Sequence, residues 1–153
     1  MQEIPSHERL ITIEDAHELV LRTTQSRASH LQQGWGGALK LTPRPSARIH
    51  AALRPDRVLL AELRADEAFE YLRTTTAHPG SITSVHASSA VLAFEQLGLL
   101  IKQSAAGAQL PSAHIERLLN LVIDVVVQFG PDRRIHEILY QPSRKRRALD
   151  VRE

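Results

Sequence analysis

The sequence predicts an α/β fold: a mostly parallel sheet flanked by helices, with an antiparallel strand pair towards its carboxy-terminal end. Three stretches carry this expectation. Leu10, Ile11, Thr12 and Ile13 form a short apolar β-type run that ends at two acids, Glu14 and Asp15. Arg54 to Ala90 reads as strand, helix, strand, the order of a parallel crossover unit. Asp124–Phe129 and Ile135–Tyr140, on either side of Gly130-Pro131-Asp132, read as a hairpin, and the β-branched run of Val125, Val126 and Val127 favours extended backbone.

Length and composition narrow the class. A chain of 153 residues is long enough to bury a core and is most simply one domain. Apolar content of 42% and charged content of 24% are ordinary for a globular protein. Aromatics make up only 4%, so Leu, Val, Ile and Ala must fill the interior. The absence of cysteine excludes disulfides and thiolate metal sites. No apolar run is long enough to span a bilayer and the first residues lack a secretory pattern, so a cytoplasmic location is expected. The net charge is +2, and the basic excess gathers in the final SRKRRALDVRE. Such a run usually reads as a solvated, frayed end, so direct nucleic-acid binding is not expected.

The elements follow in order. After the first strand, residues 22–42 are rich in Thr, Ser, Gln and Gly and suggest a polar connection, with at most a short strand near Leu39–Leu41. The GWGG within it is not followed by the Lys and Ser/Thr of a phosphate loop, and no role is assigned to Trp35. Pro45 suits the first position of a helix through SARIHAALR, which Pro55 then ends. Val58, Leu59 and Leu60 form the next strand, running to Glu62. A helix from Asp66, as N-cap, to about Arg73 puts Ala68, Phe69 and Leu72 on one face. Ser81–His86 reads as another strand. Ser89–Gln103 is a helix with Leu92, Gln96, Leu99 and Leu100 near one face, widened by Val91 and Phe94. Gly107 breaks the chain, and Ser112–Leu121 forms a last helix with Ile115, Leu118, Leu119 and Val122 at helical spacing. From Ser89 onwards the sequence reads as core or interface material, without chemistry.

The chemistry gathers at strand ends. In an open α/β sheet these line a ligand crevice. Glu14 and Asp15 supply hard oxygen donors suited to hydrated Mg²⁺ or to orienting a water, or else Asp15 caps a turn and Glu14 is solvated. Glu62 is placed to hold a water at a strand end; the alternative is an acid paired with Arg64 or Arg57. His78 and His86 lack the same-face spacing of a helical zinc pair, so zinc is not expected; either suits a hydrogen-bonding role.

RPDRVLLAELRADEAF resembles the Walker B segment of the type II/IV secretion ATPase family, TTAHPGSITSVHASSA its histidine box, and ITIEDAHEL its aspartate box. The three occur in the family's order, and the resemblance continues through FEQLGLLIKQS and LPSAHIERLLNLVIDVVVQF. It is strongest to the type IV secretion and conjugation branch, because other branches often carry tetracysteine zinc motifs that this chain lacks. The resemblance implies the carboxy-terminal part of a RecA-like P-loop NTPase domain over residues 1–142, with an aspartate box at 11–19, Walker B at 54–69, a histidine box at 74–90 and a basic, disordered tail at 143–153.

It further implies ATP and Mg²⁺ as cofactors. Glu62 would position the attacking water, Glu14 and Asp15 would organise Mg²⁺ through water, and His86 would report the terminal phosphate, with His78 and Arg64 sensing the nucleotide. Ala61, Ala65 and Ala77 stand where the family usually has glycine. Implied partners are a hexameric ring of like subunits, or a full-length secretion ATPase, and the inner-membrane secretion machinery, where peripheral attachment is the alternative to a free cytoplasmic state.

No GxxxxGK[ST] phosphate loop occurs in the chain. The expectation is therefore a fragment, split product or decayed copy that does not turn over ATP alone, and the alternative function is an inactive module that regulates or joins a full-length secretion ATPase. A nucleic-acid binder acting through the basic tail is a weaker third reading.

Overall fold

The computed structural model describes residues 4–14, 29–32 and 54–145. Residues 15–19 of the aspartate box, Trp35, the expected strand near Leu39–Leu41, the expected helix from Pro45 and the tail beyond Lys145 lie outside the described residues. The chain divides into two compact units, Met1–Ser84 and Val85–Glu153.

The first unit is a parallel sheet of β1 (Leu10–Glu14), β2 (Ser29–Gln32), β3 (Arg57–Leu60) and β4 (Ile82–Thr83), in the order β2-β1-β3-β4. Every residue of β1 is buried, as a central parallel strand covered on both faces requires. Its register pairs Ile13 with Leu60 of β3, and β3 in turn pairs Leu60 with Thr83 of β4. Leu10, Ile11, Ile13 and Val58 are fully buried, and Ala68, Tyr71 and Leu72 of helix α1 (Ala65–Thr75) join them in the core. Phe69, expected on that face, is only half-buried, and Tyr71 takes its place in the core.

Two local expectations are corrected here. The helix is not capped by Asp66. The Arg64 carbonyl accepts the Ala68 amide at 2.9 Å, so Arg64, extended at φ −113°, is the cap and Asp66 falls in the first turn. The strand expected over Ser81–His86 shrinks to Ile82–Thr83, with a side-chain bond to the β3 segment on either side of it. Ser81 Oγ accepts the Val58 amide at 3.0 Å, and Ser84 Oγ donates to the Ala61 carbonyl.

The second unit contains α2 (Leu92–Gln103), α3 (Ser112–Val122) and an antiparallel pair, β5 (Val125–Phe129) and β6 (Ile135–Tyr140). In α2 the buried stripe is Ala93, Leu97 and Ile101, not the face through Leu92 and Leu99, which are 48% and 57% exposed. Nearly every position of LAFEQLGLLI is apolar, so periodicity alone could not select the face. Ser104 closes the helix: its Oγ donates to the Ile101 carbonyl at 2.6 Å and accepts the Gly107 amide at 3.0 Å. A Cβ on Gly107 would meet the Ile101 carbonyl oxygen at 2.2 Å, which explains the glycine.

In α3, Ile115 and Leu119 carry the burial. The hairpin is one-sided. Val125, Val127, Phe129, Ile135, Ile138 and Tyr140 are all exposed, so this surface is not core. Among the described residues no helix is long and apolar enough to cross a membrane.

Candidate functional site

The carboxy-terminal end of the first sheet is built by main-chain bonds around Glu62. The Ala61 amide donates to the Ile13 carbonyl at 3.0 Å, prolonging the β1–β3 ladder by one residue. The Leu63 amide donates to the Ser84 carbonyl at 3.0 Å, and Ser84 Oγ returns a bond to the Ala61 carbonyl. Glu62 is thus held in a short turn fixed on one side by β1 and on the other by the residue after β4. Glu14 ends β1 next to that turn, so the register brings two predicted carboxylate positions to the same end of adjacent parallel strands.

Their environments differ. Glu14 is 3% exposed, whereas the Glu62 side chain is 42% exposed. Glu62 is therefore the carboxylate that a ligand or water arriving from solvent can reach. Arg64 Nη2 lies 3.7 Å from Glu62 Oε2 with its own side chain 49% exposed, a long surface pair. The other sequence alternative for Glu62, pairing with Arg57, is not realised, because Arg57 is engaged by Glu8. Neither Ala61 nor Ala65 has positive φ, so alanine satisfies this backbone where glycine was the family expectation.

The two histidines are placed differently. His78 is 8% exposed and follows α1, two residues before Gly80. Its amide donates to the Thr75 carbonyl at 3.0 Å, and its carbonyl accepts Ser81 Oγ at 2.7 Å. Through Ser81 and the Val58 amide this turn is fastened to the beginning of β3, the end of the sheet opposite Glu62. His86 follows β4 by three residues, is exposed and belongs to the second unit. The structure therefore brings Glu14, Glu62 and Arg64 to one sheet end and places His78 at the other.

Sequence reasoning missed Ser84, because an isolated serine in a strand carries no recognisable signal. It also missed Glu8 and Arg57, which tie the opposite end of the sheet. Arg57 Nη2 donates to Glu8 Oε1 at 3.0 Å and Nε to Glu8 Oε2, and the guanidinium beside Glu8 holds its carboxyl below the usual value. Among the described residues, no group of three or more His, Asp or Glu side chains converges to hold a metal ion.

A parallel sheet with acids at its carboxy-terminal strand ends is the architecture of an open α/β fold, whose strand ends line a ligand crevice, and the matching family is specific. Residues 1–145 match the family described as type II/IV secretion system protein, and the chain belongs to it. It is 42% identical to the type IV secretion system protein VirB11 of Brucella suis, over 95% of this chain and 43% of that protein. It is 41% identical to the protein of the same name from Bartonella quintana, over 94% of this chain and 41% of that one. The crystal structure of the VirB11 ATPase from the Brucella suis type IV secretion system in complex with sulphate superposes with a TM-score of 0.79, covering 97% of this chain and 44% of that one. The chain thus spans about two fifths of the length of the relatives it matches.

The family implies Mg²⁺ and ATP, and the residues present fit only part of that pair. Mg²⁺ keeps several waters and takes one or two carboxylates, and Glu14 and Glu62 are oxygen donors at the same sheet end, Glu14 buried and Glu62 open to solvent. The phosphate cradle is not supplied, since no GxxxxGK[ST] stands anywhere in the 153 residues.

Proposed function

We propose that this chain carries the water-activating side of a type IV secretion ATPase that energises substrate transfer or pilus assembly. The reading rests on Glu62, a half-exposed carboxylate locked at a strand end beside Glu14 in a chain of this family. Mg²⁺, when bound, would supply charge neutralisation for a phosphate group. Glu62 would orient the attacking water and accept its proton, Glu14 and Asp15 would hold hydrated metal, Arg64 would sense the nucleotide and His86 would report the terminal phosphate, whereas His78, buried at the opposite end of the sheet, is left out of this site. The working form is a hexameric ring of like subunits or a mixed assembly with a full-length secretion ATPase, on the cytoplasmic side of the inner-membrane machinery.

The purified chain alone is expected to show no useful ATP turnover, because the amides and lysine of a phosphate loop provide most of the hold on the β- and γ-phosphates. The test is binding of a fluorescent ATP analogue with Mg²⁺, beside a Glu62→Gln control, on a sample shown by circular dichroism to be folded. Saturable binding with Mg²⁺-dependent turnover that disappears in Glu62→Gln would overturn the expectation of inactivity and establish the role of Glu62. No binding, together with co-sedimentation with a full-length secretion ATPase, would favour the second reading, an interaction or regulatory module.

A further inference from the structure

The segment that follows His86 is fastened by a single cross-strand pair of the hairpin. Gln128 of β5 and Glu137 of β6 are direct partners in the antiparallel ladder. Gln128 Nε2 donates to the Ala87 carbonyl at 3.1 Å, and Glu137 Oε2 accepts the Ala90 amide at 2.9 Å. Ser89 Oγ accepts the Leu92 amide at 3.1 Å, so the chain from Ala87 to the start of α2 is pinned at three points. Alternation along the strands explains the arrangement. Val125, Val127 and Phe129, with their partners Tyr140, Ile138 and Ile135, occupy the exposed face, while Gln128 and Glu137 turn to the other. A polar pair inside two apolar strands is unexpected unless it has a partner, and the main chain beside His86 is that partner.

We propose that Gln128 and Glu137 are positioning residues for His86, a role that rests on reading His86 as the phosphate-reporting imidazole. Gln128 fixes the carbonyl of the residue adjoining His86, which limits rotation of the backbone that aims the ring. Glu137 holds an amide just ahead of α2, where the helix leaves donors without intrahelical acceptors and its dipole favours a carboxylate. Movement of the imidazole on phosphate loss therefore strains two bonds to adjacent strands, and the hairpin shifts with the histidine segment.

The experiment uses the full isotope-labelled chain and follows the His86 ring signals by NMR together with amide hydrogen exchange at Ala90. Glu137→Ala is expected to raise Ala90 exchange by about tenfold, the equivalent of one hydrogen bond, and to shift the His86 ring signals. Glu137→Gln keeps the acceptor and should restore both. Gln128→Ala should shift His86 while Ala90 stays protected. Unchanged His86 signals in Glu137→Ala and Gln128→Ala would overturn the proposal, as would exchange accelerated equally along α2 to Ile101. If Glu137→Ala fails to fold, the contrast between Gln128→Ala and Glu137→Gln decides. Titration with Mg-ATP of the labelled chain mixed with a full-length secretion ATPase, which supplies the phosphate loop this chain lacks, separates the underlying reading. His86 signals that follow the variants but ignore nucleotide leave the positioning pair standing and remove the reporting role. Signals that follow nucleotide but ignore both variants do the reverse.

Discussion

Glu8 and Arg57, 49 positions apart in sequence, meet in a two-point ion pair with Arg57 Nη2 3.0 Å from Glu8 Oε1. The pair fastens the residues before β1 to the first residue of β3. Nearby, the Arg9 amide donates to Asp56 Oδ2 at 2.6 Å and the Arg9 carbonyl accepts the Asp56 amide at 2.9 Å. The end of the sheet away from Glu62 is thus a structural seam.

The pair makes stability depend on acid pH. The hydrogen bond from Arg57 holds the Glu8 carboxyl below its ordinary value of 4.5. A depressed folded-state value adds stability that is fully present above the unfolded value and is lost as pH falls through the folded one. The melting temperature of the native chain should therefore exceed that of Glu8→Gln at neutral pH, and the two should converge as pH falls below 4.5. A constant difference across the acid range would remove Arg57 as the cause.

Gly80 has φ of +78°, and a Cβ there would lie 2.0 Å from Arg57 Nη1. The guanidinium can move, but the backbone conformation stays costly for any L side chain. Gly80→Ala should destabilise by about 1–2 kcal/mol, read from urea midpoints at unchanged slope.

The face of α2 is tested by two substitutions two residues apart. Ile101 is fully buried, and Ile101→Ala should cost about 2–5 kcal/mol. Leu99 is 57% exposed, and Leu99→Ala should stay within about 0.5 kcal/mol. Equal losses in thermal unfolding would contradict the observed stripe.

Glu62 should matter little to stability. Its side chain is 42% exposed, so Glu62→Gln should change unfolding free energy by no more than about 0.5 kcal/mol. Ser84→Ala instead removes a bond to the Ala61 carbonyl, and the Leu63 amide beside Glu62 should exchange about tenfold faster. Melting curves and site-resolved exchange check the two expectations separately.

Much of this protein is local enough to read from the chain. A run such as Leu10–Ile13 must be a buried strand, because extended β-branched and leucine residues with no polar alternation have nowhere else to go. Gly130-Pro131-Asp132 between two β-type runs makes the hairpin, and the apolar run before Glu62 puts that acid just past a strand end. These features depend on propensity and spacing within a few residues of each other.

What tertiary structure decided is everything that needs a partner far along the chain. The apolar excess of α2 concealed its buried face until packing selected Ala93, Leu97 and Ile101. Ser81 and Ser84 flank β4 with hydroxyls that bond residues 23 positions away. The sheet's parallel register puts His78 and Glu62 at opposite ends, although both lie within one short stretch of sequence. Gln128 and Glu137 became holders of the His86 segment only when the hairpin closed against residues more than 40 positions before them. Local rules set what each segment becomes; hydrogen bonds and burial between distant segments set which side chain it offers, and to what.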